Sequence, residues 1–205
     1  EVGWFQEKNL TSINFQSPHA VVVPGCVAAW QRLSDDYGQK DLDACLQPAI
    51  KLAEGGYPVY SVIASAWARN AEKLMTDENS RQIFLPNGKA PNAGDINHQP
   101  ALAKTLRLIA DRGAVGFYEG EVAERMVDYL RGKGGLQSLD DFATTEANYV
   151  DPISTNYRGY EIVECPPNGQ GIIALEIFNI LRGYDLESLD PLGIERLHLE
   201  AEATR

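Results

Sequence analysis

No stretch of this sequence approaches the roughly 18 apolar residues that a helix needs to cross a bilayer. Basic residues are scarce: 18 lysines and arginines stand against 29 aspartates and glutamates, a formal charge of -11. Such a chain repels phosphate backbones, and no local lysine or arginine cluster reverses the field, so nucleic acid is excluded as a partner class. Cysteine is sparse too. Cys26, Cys45 and Cys165 are an odd set without Cys-x-x-Cys spacing, which gives neither a disulfide framework nor a zinc site; they are expected to be partly buried thiols. His19, His98 and His198 lie far apart with no second ligand at a spacing such as His-Glu-x-x-His, so no metal site is expected. No Gly-x-Ser-x-Gly elbow, phosphate-binding loop, internal repeat or low-complexity segment is present.

What is there suits a folded globular chain: 44% hydrophobic and 23% charged residues in a length of 205, which fits one large domain or part of one. The first two dozen residues read as loop and strand, with Ala20-Val21-Val22-Val23 as a short β-branched run stopped by Pro24-Gly25. Val27, Trp30 and Leu33 then recur at helical spacing to Tyr37, with Gly38 suited to the position after the helix. A helix over Leu42 to Glu54 carries Pro48, which predicts a kink or two short helices. Ser61 to Met75 reads as one more helix. Pro86 to Asp95 is dense in turn formers and reads as a surface loop within one domain.

From Gln99 the period is helical again. Leu102, Leu106 and Ile109 form one face, and Gly113 ends it. Val122, Met126, Tyr129 and Leu130 mark a second amphipathic helix, closed by Gly132 to Gly135. Ser138-Leu139-Asp140-Asp141 matches a capping box. Ile153 to Tyr157, the turn Arg158-Gly159, and Tyr160 to Cys165 read as a β-hairpin. Pro166-Pro167-Asn168-Gly169-Gln170-Gly171 leads into an apolar helix from Ile172 to Leu181. The last stretch has Ile194, Leu197, Ala201 and Ala203 near helical spacing with no stop signal after it, and Glu1 is not a start residue. Both ends are therefore expected to be truncated, residues 1–205 forming a single partial domain.

Few residues promise chemistry on their own. The Asn168–Gly171 loop lies between a strand and a helix N-terminus, a place that can hold an anion, although tight glycine packing explains it as well. Thr144-Thr145 is a tempting nucleophile, since an N-terminal threonine uses its own amine as base, yet Glu146 and a polar stretch follow and nothing frees an amine there. Asp35-Asp36, Asp140-Asp141 and Glu200 with Glu202 are adjacent or two apart, so they do not converge on one helical face.

Several segments, in order, resemble the large subunit of the γ-glutamyltransferase family. They include Val22-Val23-Pro24-Gly25, the Pro48–Val59 run with Glu54-Gly55-Gly56-Tyr57-Pro58, Gln99–Leu106, and Gly113–Gly120. Tyr157-Arg158-Gly159-Tyr160, Pro166–Gly171 with Leu175–Leu181, and His198–Ala203 complete the set. The Pro-Pro-Asn-Gly-Gln-Gly form is similar to the bacterial γ-glutamyltransferase-like acylases, which lack secretion signals; that favours a bacterial cytoplasm over a periplasm.

The resemblance implies an α+β, mostly helical fragment of an N-terminal-nucleophile hydrolase αββα sandwich. In that family the precursor cuts itself before a threonine, and this threonine of the small subunit attacks a γ-glutamyl amide such as glutathione. The family motif is Thr-Thr-His, which Thr144-Thr145-Glu146 does not match, and the family's carboxylate-binding arginine lies upstream of Glu1; neither Arg32 nor Arg69 sits in its motif. No catalytic, substrate-binding or metal residue is thus assigned, and no cofactor is expected. The implied partners are a small subunit from the same precursor and a γ-glutamyl small molecule, with the isolated chain inactive. The rival expectation is a non-catalytic helical module holding a small anion at the glycine loop.

Overall fold

The computed structural model describes residues 2–205. Helices dominate, and the chain divides into two compact units, one running to Ala147 and the other from Asn148 to Arg205.

In the first unit α1 (Val2–Glu7) precedes a segment of turns with one 3-10 turn at Pro18–Ala20 that leads to α2 (Cys26–Tyr37) and α3 (Leu42–Gly55). Ala20 to Val23, expected as a strand, pairs with no strand. Its backbone is held instead by the Gln137 amide, which donates to Pro18 O (3.0 Å) and Val21 O (2.7 Å). Pro48 does not split its helix: α3 is continuous through it. Gly38 follows α2 in extended backbone (φ -68) rather than the left-handed region.

The two-residue strand β1 (Tyr57–Pro58) pairs antiparallel with β2 (Ile96–Asn97). Val59 N to Asp95 O (2.9 Å) and Gly94 N to Val59 O (2.8 Å) continue this neck. Between the paired strands the chain makes an excursion through α4 (Ser61–Arg69), α5 (Ala71–Met75) and α6 (Glu78–Phe84). The single helix expected over Ser61–Met75 is broken at Asn70 (φ -101, ψ 11), whose side-chain amide turns back to Ala66 O. The α6 helix carries no strong apolar period; its start is set by Asp77, which accepts from Ser80 N at 2.9 Å, an N-cap.

After β2 come α7 (Pro100–Arg112), α8 (Val115–Tyr118), α9 (Glu121–Gly132) and α10 (Leu139–Ala143). Their core joins Val27, Ala28, Leu46, Ile50, Leu106, Ile109, Ala123, Val127 and Phe142. Two expected faces hold in part: Leu106 and Ile109 of α7 and Leu130 of α9 are buried as expected. Ala103 is buried on α7 and Leu102 exposed, while Ala123, Val127 and Leu130 are the buried residues of α9. The Tyr118 hydroxyl accepts from Ala28 N (3.1 Å) and donates to Pro24 O (2.5 Å), which fixes the start of α2 against α8. Burial raises the Tyr118 pKa above the ordinary phenol value. The capping box forms as expected, with Asp141 N donating to Ser138 Oγ and Ser138 N donating to Asp141 Oδ2.

In the second unit β3 (Ile153–Tyr157) pairs with β4 (Tyr160–Glu164) in the register Ile153↔Glu164 through Tyr157↔Tyr160. The turn residues Arg158 (φ 52) and Gly159 (φ 84) are both left-handed, as a two-residue hairpin turn of the primed type requires. One hairpin face, Ile153, Thr155, Tyr157 and Ile162, is half-buried, and Thr155 Oγ1 donates to Asn179 on α11 (Gly171–Leu181) at 2.6 Å. With α12 (Ile194–Thr204), these elements close a small core of Leu181, Leu186 and Ala203, flanked by Tyr157, Ile177, Leu189 and Leu199. On α12 Ala203 is buried and Leu199, four residues earlier, is half-buried against the same cluster; Ile194 is 87% exposed.

Candidate functional site

The glycine loop connects β4 to α11 as expected. A Cβ at Gly171 would lie 2.8 Å from Glu164 Cβ and 2.9 Å from Cys165 O, so only glycine allows the helix to start this close to the strand. The same position lies 3.0 Å from Glu164 Oε2. A carboxylate already stands beside the first turn of the helix, and its charge opposes a second anion there. This geometry speaks for packing and against an anion cradle.

The two threonines are tied down. Thr144 Oγ1 donates to Asp140 O and Thr145 Oγ1 to Asp141 O, both at 2.7 Å, in the last turn of α10. A hydroxyl spent on the helix behind it is not poised for attack, and both residues sit inside a continuous chain without a free amine. The acidic pairs are dispersed as the spacing implied: Asp35 accepts from Gln31, Asp141 serves the cap, Glu200 pairs with Arg196 (2.8 Å) and Glu202 with Arg205 (3.5 Å). Arg32 pairs with Asp36 and Arg69 donates to Ser65 Oγ, each at 2.7 Å and on separate helices.

The cysteines correct an expectation: Cys26, Cys45 and Cys165 are exposed free thiols rather than partly buried. The stripes that bury α2 and α3 run through their neighbours Val27 and Leu46 instead. His19 packs against Trp4 and Phe5 (4.8 and 5.4 Å between ring centroids), and His98 Nδ1 lies 3.0 Å from Glu54 O. Among the described residues no three His, Cys, Asp or Glu side chains gather as a metal site, and no helix is long and apolar enough to cross a membrane.

Three features were not anticipated from the sequence. Arg107 on α7 clasps the Glu54 carboxylate of α3 with both ends of its guanidinium (2.8 and 2.5 Å), which lowers the Glu54 pKa. Asp77 accepts a hydrogen bond from Tyr129 and lies 3.2 Å from Lys133 Nζ. The Tyr129 hydrogen bond first, then those from Ser80 N and the Lys133 ammonium, hold the Asp77 carboxyl well below its usual range, and the hydrogen bond to Asp77 raises the Tyr129 pKa. Asp77 three residues before Ser80 was the available signal for the cap, but its long-range partners have none. Thirdly, an open apolar groove of about 590 Å³ runs between α7 and α9, lined by Leu102, Leu108, Phe117, Val122, Met126 and Tyr129, and also by Asn79.

Helices pack around a buried core, a hairpin is backed by a helix, and the Thr144 and Thr145 hydroxyls are held by carbonyls of α10. Residues 3–205 match the family model described as Gamma-glutamyltranspeptidase, and the chain belongs to that family. It is 36% identical over 186 residues to the glutathione hydrolase-like YwrD proenzyme of Bacillus subtilis, covering 91% of this chain and 35% of that protein. Among solved structures it superposes on a cephalosporin acylase from Bacillus halodurans with a TM-score of 0.88 and 34% identity, over 100% of this chain and 39% of that one. The γ-glutamyltranspeptidase of Helicobacter pylori follows at 0.83 and 32%, over 93% and 55%. The chain thus spans about a third of the length of the curated relatives it matches, and it is a mostly helical α+β piece of the larger fold of this family.

Proposed function

We propose that this chain is the large-subunit region of an enzyme that hydrolyses or transfers γ-glutamyl amides through an N-terminal threonine lying outside residues 1–205. The observation that carries the reading is the family match across residues 3–205, on a chain that covers only 35% of a relative named as a proenzyme. The bound hydroxyls of Thr144 and Thr145 support it, because the family's chemistry needs a threonine whose own amine is free.

In the reaction the threonine hydroxyl attacks the γ-carbonyl carbon while the threonine amine takes its proton. Backbone N–H groups hold the oxyanion, and the departing amine takes the proton back. Water, or an amino acceptor, then cleaves the acyl ester. On this reading the small subunit comes from the same precursor, no metal or organic cofactor takes part, and the two compact units belong to one partial domain of the αββα sandwich. The likeness to a cephalosporin acylase makes a β-lactam side-chain amide the second donor class to assay.

Purified residues 1–205 are expected to show no turnover of a γ-glutamyl anilide under conditions where the full-length gene product releases the aniline. Measurable release by residues 1–205 alone would place the nucleophile inside this chain and overturn the proposal.

A further inference from the structure

The excursion between the paired strands is set apart from the rest of its unit. It leaves at Pro58 and returns at Ile96, so its two ends meet at a neck of paired backbone. Helices α4, α5 and α6 pack on one another and on the Pro86–Gly88 turn. Ala64 and Leu85 are buried within this segment, and Trp67 meets Phe84 edge-on at 5.3 Å, yet none of the four belongs to the main cluster around Ile50 and Phe142. Beyond the neck, two side-chain ties among the described residues reach other parts of the unit. Lys73 lies over the Phe15 ring at 5.2 Å, and Asp77 meets Tyr129 of α9 and Lys133 just beyond it. The Lys133 ammonium also lies 5.5 Å from the Tyr129 ring, so all three groups of the second tie touch.

We propose that residues 61–94 are a hinged flap, pivoting on the Tyr57–Pro58/Ile96–Asn97 neck and latched to α9 by Asp77, Tyr129 and Lys133. Asn79, two residues after the latch, is one of the residues lining the apolar groove between α7 and α9. Release of the latch therefore moves Asn79 relative to the groove and leaves the core helices in place. A segment with its own buried side chains and few ties opens as one cooperative unit at a free energy below that of global unfolding. Asp77 serves both as the cap of α6 and as the acceptor of the latch, which couples the order of the flap to its docking.

Amide hydrogen exchange on the full-length protein tests this. Tyr129→Phe removes the donor to Asp77 and leaves the α6 cap intact. It is expected to raise exchange across peptides of residues 61–94 together, by about fivefold to tenfold, with α7 and α9 unchanged. Lys133→Met, a change at a half-exposed side chain, is expected to act on the same peptides by a smaller factor, and it stands as the test if Tyr129→Phe fails to fold. A change confined to residues 77–80, a change spread into α7 and α9, or no change in either variant would overturn the flap.

Discussion

Phe142 shows how much one side chain can hold. It is 1% exposed and joins α10 to the cluster formed by α2, α3, α7 and α9. Phe142→Ala is expected to cost about 3–5 kcal/mol, because the lost transfer free energy is joined by a cavity among helices that cannot all move inward. Urea unfolding followed by circular dichroism checks this; a loss under about 1 kcal/mol would mean that the site collapses around the gap. The cap four residues earlier was legible in the sequence, since Ser138 and Asp141 satisfy each other within one turn and need no distant partner. Asp77 was not legible, because two of its partners, Tyr129 and Lys133, are more than fifty residues away. The cysteines were misjudged for a similar reason: their type favours burial, but the phase of each helix puts Cys26 and Cys45 beside the buried stripe rather than in it.

Among the elements, helical period was readable, and its phase held in part on α7, where Leu106 and Ile109 are buried, but was mixed on α9. On α9, Val122, Met126 and Tyr129 form one apolar stripe and Ala123, Val127 and Leu130 another; spacing alone cannot choose between them, and the smaller set packs inward. The other stripe lines the open groove. The Ala20–Val23 run failed as a strand because β-branched residues favour extended backbone but cannot supply a partner. The hairpin was readable throughout, since its turn chemistry is local. Gly159 sits at φ 84 with open space around its Cβ position, so Gly159→Ala is expected to destabilise the second unit through backbone strain alone, by about 1–2 kcal/mol. Comparison of denaturation midpoints reads the effect, and an unchanged midpoint would show that the turn relaxes to another type.

On the scale of the whole molecule, the family was legible because its motifs recur in order along nearly the entire chain, and residues 3–205 match it. No reactive centre was legible, since no local pattern in these 205 residues unites a nucleophile with a free amine. The neck that closes residues 61–94 also escaped notice: two strands of two residues carry no periodic signal. The central claim concerns a precursor that cuts itself, and intact-mass analysis with N-terminal sequencing of the purified full-length gene product tests it most directly. Two polypeptides are predicted, the larger containing residues 1–205 and the smaller beginning with threonine. A single uncut chain would contradict the account and leave the family relationship without the family's chemistry.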